Sequence, residues 1–594
     1  MIKYTITPDA ARHAYHVELE LSDFCPEIVF KMANWTSGSY IIRDFAQHVF
    51  DVKVKNGTVS QIEKNIWKVT HPNPEEPFVL SWSVFANANR VHELFIDTDY
   101  GFINPPALLL FQEGMQDLPA EIAFKTDYAV HTSLVPETFT LSESFSAPTL
   151  EELLDTPFSL TSPNALAQVV DFSVAGVPHR FLFTGAATLN LERIANDTKA
   201  MCEKTVELWQ FAPFQHYLFH CHCHVGHGLY NGLEHQNCSI LQFDSDDLPG
   251  AGEETPPKKY SEFLELVAHE YFHAWLVKFL RPANYLPNYP FCGTEAYTEM
   301  LWVFEGFTSY YEQRIPYLAG IMTEEEFLES LSKRFSGVTG REGFKKEALT
   351  DASRLAWIHL YKQSANSPYQ HTSYYGKGAI VAFFLDALIR QNSDGSKSLD
   401  TLLRDWCVKS TLNRDDRGLA EGGFSALCKR LGYEEVSDLV EKLTRTHDEF
   451  LWQNQWRATC DAFGLKVEEK KKSDLLSYWG LSMKEGTTTV AYTPTQGAAF
   501  RAGLFAGDEI VAIDGVRVTA ARLERQVMQR LFAKQPIEVT FFRRDLLHRA
   551  QVVADGIARF EQPVLVRCTE LSPAEGCENW LLHSSEKRKG AIQS

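Results

Sequence analysis

The 594-residue sequence has no apolar run near the ~18–20 residues that cross a bilayer, and its opening stretch, MIKYTITPDAARHAYHVELEL, lacks the apolar core of a signal peptide. A cytoplasmic protein with no membrane partner is the expectation. Positive charge is also scarce: 57 Lys and Arg against 77 Asp and Glu leave a net charge of −20, which argues against a general nucleic-acid binder. Cysteines number only 11, odd and without framework spacing, so reduced thiols are expected rather than disulfides. Internal repeats are missing too. Apolar residues are not: 44 % hydrophobic against 23 % charged is the composition of a globular chain, and the length calls for several cores.

Residues 1–165 read as mostly β. Tyr15, Val17, Leu19 and Leu21 alternate with His16, Glu18 and Glu20, and Phe50, Val52 and Val54 repeat the pattern before the Asn56-Gly57 turn. Strands and a helical stretch near Arg193–Trp209 follow, and helical periodicity dominates from Tyr260 to about Phe450, so 166–465 is expected to form one α+β domain with a helical bundle. Lys470-Lys471-Lys472-Ser473 reads as a polar linker, 473–560 returns to short strands with two helices, and 561–594 reads as a polar tail with no core contribution.

The strongest chemical signal is HEYFH at His269–His273. Helical residues i and i+4 share a face, so the two imidazoles can meet one tetrahedral ion with Glu270 beside its open position. The flanks from Phe263 to Leu280 are apolar nearly all round, as in a buried helix, where unpaired ionisable groups are costly and a cation would offset the cost. A third donor is needed, and LWVFEGFTSYYE supplies Glu305 within an apolar helical stretch, with Glu299 and Glu312 as rivals on spacing. Imidazole and carboxylate donors suit Zn2+, although cobalt or manganese would also fit.

HEYFHAWLVKFLRP followed by LWVFEGFTSYYE resembles the glycyl aminopeptidase family, together with WTSGSYIIRDFAQHV at Trp35–Val49, NGLEHQNCS at Asn231–Ser239 and SYYGKGAIVAFFLD at Ser373–Asp386. The resemblance implies a β-rich N-terminal domain, a thermolysin-like catalytic domain similar to that of aminopeptidase N, and a C-terminal PDZ domain. By it, His269, His273 and Glu305 are ligands of one catalytic zinc and Glu270 is the general base. Glu234, in Gly232-Leu233-Glu234-His235, would bind the free α-amine of a peptide substrate, and Tyr375, with Tyr374 as its rival, would donate to the oxyanion. It further implies a preference for small N-terminal residues, glycine or alanine.

In FHCHCHVGHG the histidines 220, 222 and 224 alternate with Cys221 and Cys223; three ligands on one flat strand sit ~6–7 Å apart, too far for one ion, so a polar strand face lining the cleft is expected. GLSMKEGTTTVAYTPTQGAAFRAGLFAGDEIVAIDGVRV resembles a bacterial-type PDZ domain. Tyr478, Trp479, Gly480 and Leu481 would be its carboxylate-binding loop, with a peptide ligand in its groove and Trp479 available to fill that groove. Two other functions compete with aminopeptidase action: a zinc endopeptidase, which has no need of Glu234, and a PDZ-based peptide-binding scaffold with an inactive peptidase domain.

Overall fold

A computed structural model describes residues 2–22, 24–71, 77–134, 142–186, 188–224, 229–285, 293–412, 417–471, 475, 479–531, 536–553, 561–568 and 570–581. The chain divides into two compact units, one of residues 1–322, 400–432 and 583–594, the other of 323–399 and 433–582. The expected catalytic region 166–465 is therefore split, and its helices 323–399 and 433–465 cluster with the segments that follow them.

In the first unit the β-rich region holds a six-stranded sheet, in the order Ser144–Ala147, Ala120–Phe124, Ile2–Asp9, Ala14–Leu21, Phe78–Phe85, Val49–Val54, and two further sheets of four strands. The alternation read from the sequence sets its faces. Tyr15, Val17, Leu19 and Leu21 are buried, Glu18 and Glu20 are exposed, and Leu19 lies opposite Tyr4 on one side and Leu80 on the other.

A five-stranded sheet follows, in the order Ala167–Val174, Val177–Thr184, Tyr217–His224, Cys238–Asp244, Tyr230–Glu234. The helix Leu191–Trp209 makes the crossover between the parallel strands Val177–Thr184 and Tyr217–His224. The edge strand Tyr230–Glu234 runs antiparallel to its neighbour. Leu233 points into a small core with Val91, Phe102 and Ile240, so Gly232 and Glu234 face the other way. On that side lie the helices Tyr260–Phe272 and Leu301–Leu318, joined through the stacked rings of Phe272 and Tyr311, 4.7 Å apart.

The apolar run to Leu280 does not continue as helix. The helix stops at Phe272 with His273 as its cap, and residues 274–280 turn. The histidine strand departs from expectation as well. Instead of lining a cleft, His220 contacts Ser159 at 2.7 Å, His222 contacts Thr184 at 3.1 Å and packs edge-on against Phe102, and His224 contacts Asn89 at 2.9 Å. Neutral hydroxyl and amide groups partner one side of these rings, Nε2 of His220 and of His222 is buried without a hydrogen-bond partner, and burial pushes both residues well below the usual imidazole range. Cys221 and Cys223 share the opposite face, sulfurs 3.8 Å apart, and no disulfide occurs among the described residues.

The second unit contains the helices Glu324–Thr339, Tyr374–Asn392, Glu434–Thr444 and Glu449–Ala462. Lys470 and Lys471, expected in a linker, end the strand Leu465–Lys471, which pairs antiparallel with Glu561–Arg567; Lys472 and Ser473 lie outside the described residues. The C-terminal segment thus contributes a strand, and it contributes core too: Trp580 is fully buried and stacks on Phe463 at 4.1 Å. Within residues 479–552 the strands Val516–Arg517, Glu509–Ile513, Ile537–Arg543 and Leu546–Val552 form one antiparallel sheet, Ser482–Met483 pairs with Val490–Tyr492, and Ala520–Leu531 is helical. Trp479, Leu481, Ile510, Leu523, Val527 and Val539 share one core. Trp479 is committed to that core, and Tyr478 lies outside the described residues.

Candidate active site

His269 and His273, one turn apart, present their Nε2 atoms 3.0 Å from each other. Both Nδ1 atoms face close acceptors, the Glu312 carboxylate at 2.5 Å from His269 and the Leu276 carbonyl at 2.9 Å from His273; the Thr308 hydroxyl, 3.4 Å from His273 Nδ1, donates to the Phe304 carbonyl at 2.6 Å. Each Nδ1 therefore carries its proton and donates, which leaves both Nε2 lone pairs aimed at a common point. Glu305, 1 % exposed, brings Oε2 to 3.1 Å from His273 Nε2 and 3.6 Å from His269 Nε2. A tetrahedral zinc with bonds of about 2.0–2.1 Å spaces its donors roughly 3.3–3.5 Å apart. The three atoms fit that triangle, and without a cation their electron-rich ends would repel one another. Glu305, which burial alone would raise, is held well below the usual carboxylate range by the two imidazoles.

Of the rivals on spacing, Glu312 contacts the far side of His269, where a carboxylate fixes tautomer and ring orientation. Glu299 belongs to none of the potential metal-holding groups among the described residues. The Leu276 carbonyl acts on His273 as Glu312 does on His269, and it reaches there because the chain leaves the helix at Phe272.

Glu270 is 5 % exposed, and its Oε2 has no hydrogen-bond partner. Burial raises its carboxyl to about 7, with Glu234 and Glu305 adding to the rise and the two imidazoles opposing it. The edge strand sits hard against it: a Cβ on Gly232 would lie 1.9 Å from Glu270 Oε1. Two residues along, Glu234 is 4 % exposed with Oε1 unpartnered, and Glu234, Glu270 and His273 bring ligand atoms within 4.8 Å of one another. Gly38, at φ +84°, passes so close to Glu234 that a Cβ there would lie 2.3 Å from Oε2.

Tyr375 belongs to the second unit, on the first turn of the helix Tyr374–Asn392. It is half-buried, with its hydroxyl 3.2 Å from that of Tyr361, whereas Tyr374 is fully buried. The approach to this helix is pinned by a residue with no sequence signal: buried Glu347 accepts the Thr372 N–H at 2.7 Å and contacts His359 at 2.6 Å and His371 at 3.2 Å. This second Glu-His-His group is no counterpart of the first. Its ligand atoms also lie within 4.8 Å of one another, but its imidazoles stack 3.7 Å apart and 20° from parallel, where the rings of His269 and His273 stand 86° apart.

The M61 glycyl aminopeptidase family matches residues 262–381, and the Peptidase M61 N-terminal domain matches residues 3–162. No sequence among the curated proteins matches the chain. A solved structure of an aminopeptidase N family protein from Idiomarina loihiensis superposes with a TM-score of 0.88 at 28 % identity, covering 98 % of this chain and all of its own. An M1 zinc metallopeptidase from Deinococcus radiodurans is 11 % identical over 75 % of this chain and 93 % of its own, with a TM-score of 0.46, too distant to bear on function. Matched through both its β-rich N-terminal region and its HEYFH-bearing segment, this chain belongs to the glycyl aminopeptidase family, and it is a peptidase.

Proposed function

We propose that the protein is a zinc-dependent aminopeptidase that hydrolyses the peptide bond after a small N-terminal residue, glycine or alanine by family. The observation that carries this reading is the Glu234 carboxylate, buried beside Glu270 with one oxygen unpartnered. A buried anion without a counter-charge costs several kcal/mol. The ammonium group at a peptide's N-terminus would supply that charge through charge-assisted hydrogen bonds and fix the scissile bond one residue in.

His269, His273 and Glu305 would hold the ion, with Glu312 and the Leu276 carbonyl setting the two rings. A bound zinc supplies Lewis-acid polarisation of the scissile carbonyl and acidifies a water molecule. Glu270, with its carboxyl raised to about 7 chiefly by burial, is matched to take a proton from water near neutral pH and return it to the leaving amine. Tyr375 is proposed as the donor to the developing oxyanion, in preference to the fully buried Tyr374.

Residues 473–560 are proposed to be a PDZ domain, whose loop from Tyr478 to Leu481 would take a peptide carboxylate. In support, Leu481–Thr487 and the start of the helix Ala520–Leu531 line a groove of about 320 Å³.

The test is hydrolysis of glycine and alanine 4-nitroanilides beside their N-acetyl forms, with metal analysis, for wild type and Glu270→Gln. Glu270→Gln is expected to keep its ion and lose about 10²–10⁴-fold in kcat, and a chelator to abolish turnover without affecting peptide binding at the PDZ groove. Cleavage of the N-acetyl forms as fast as the free ones would favour an endopeptidase. No hydrolysis by the metal-loaded wild type would favour a peptide-binding scaffold.

A further inference from the structure

After the helix Tyr260–Phe272 the chain makes an unusual turn. Val277 has φ 113°, a region that β-branched residues rarely enter, and the turn is held by Val277 N–H donating to the Leu280 carbonyl at 2.8 Å and Leu280 N–H donating to that of Trp275 at 2.9 Å. Its effect is to send the next side chain inward: Lys278 is only 2 % exposed. Its Nζ donates to Asp155 Oδ1 at 2.8 Å and contacts Ser37 Oγ at 3.4 Å. Asp155, which follows the short helix Leu150–Leu154 of the β-rich region, also accepts the Gln236 N–H at 3.0 Å and lies 3.4 Å from His235 Nδ1. Burial would raise this carboxyl, but Lys278 and His235 hold it well below the usual carboxylate range.

Four segments are joined here, and two of them adjoin Glu234. His235 and Gln236 follow its strand directly, in the turn after Glu234, and Ser37 precedes Gly38, whose backbone crowds the Glu234 carboxylate. We propose that Asp155 and Lys278 are a positioning pair for Glu234, clamping its strand end and the Ser37-Gly38 loop so that its carboxylate meets the amine of an incoming peptide. The inference rests on the α-amine-binding reading of Glu234.

The test uses the full-length metal-loaded protein. A single apolar substitution would strand one buried charge, so the informative variant is Asp155→Leu with Lys278→Met, which removes both charges at similar volume. Asp155→Asn, which keeps the shape and a carbonyl acceptor, is the milder second variant. Each is measured for kcat and KM on glycine 4-nitroanilide and for inhibition by glycinamide against acetamide, beside Glu234→Ala. The expected result is that KM and the glycinamide inhibition constant rise about tenfold or more, with kcat changed far less and acetamide inhibition unmoved. A folded double variant, or Asp155→Asn should the double variant not fold, with wild-type KM and wild-type preference for glycinamide would overturn the positioning role while leaving Glu234 in place. If Glu234→Ala itself spares KM and that preference, the amine-binding reading falls, and this inference with it.

Discussion

Replacing Gly232 by alanine tests the site where tolerances are tightest. The new Cβ would lie 1.9 Å from Glu270 Oε1, 2.5 Å from Cδ and 2.8 Å from Cγ, whereas ordinary contact begins at 3.4 Å, so the carboxylate must withdraw by 3.4 − 1.9 = 1.5 Å. A buried but unhooked carboxylate can make that move at small cost in stability, and alanine is intrinsically better than glycine in a strand by roughly 0.5–1 kcal/mol. Catalysis has no such latitude. A displacement of ~1 Å in a reacting group costs about 10²-fold, close to 2.7 kcal/mol of barrier. Gly232→Ala should therefore hold its metal and melt within a few degrees of wild type while kcat on glycine 4-nitroanilide falls at least about 100-fold. In a Glu270→Gln background the same change should add little, since the group it displaces is already disabled. A metal-loaded Gly232→Ala protein with kcat within about threefold of wild type would refute the assignment of Glu270 as a closely held base.

Glu312→Gln should weaken metal affinity about 10–100-fold by loosening His269, measured by competition with a chelator. Stability should fall in mild acid: His131 and His179, lowered by burial to about 4, and His222, lowered to about 3, are neutral when folded but take up protons near pH 6.5 when unfolded. Their contribution is complete above pH 6.5 and is lost as the pH falls toward 4, by about 3 kcal/mol per histidine, and calorimetry from pH 7 to 4.5 should show a shallower decline in His131→Gln. Ending the chain at residue 560 should lower the melting temperature of the second unit markedly, because it removes the Glu561–Arg567 strand and Trp580; an unchanged calorimetric transition would contradict that.

What was legible in the sequence was local. The i, i+4 spacing of His269 and His273 lies within one helix, and its periodicity carries over to their shared face. Glu305 and Glu312, seven residues apart, also share a helical face, which is why spacing offered both as ligands; only the packing of the two helices sets one against Nε2 and the other against Nδ1. The apolar run through Leu280 read as helix because hydrophobicity marks burial, not hydrogen bonding, and the turn there depends on the φ of Val277. Asp155 had no signal at all, since its partners lie at positions 235, 236 and 278. The strand Glu561–Arg567 was hidden for a similar reason: its ladder partner is about a hundred residues upstream, and Leu565 N–H donates to Ser332 Oγ at 2.8 Å.

Lys471 and Glu561 face each other as register partners in that two-stranded ladder. The segment between them, which lies within the second unit, therefore starts and ends at the spacing of two adjacent strands, and it also touches that unit through Tyr369 with Thr493 and Glu342 with Thr495. A tight hairpin loop of two to five residues would bridge the gap, so the intervening stretch can be treated as a cassette: cut out, or exchanged for another domain, without severing the ribbon that anchors it.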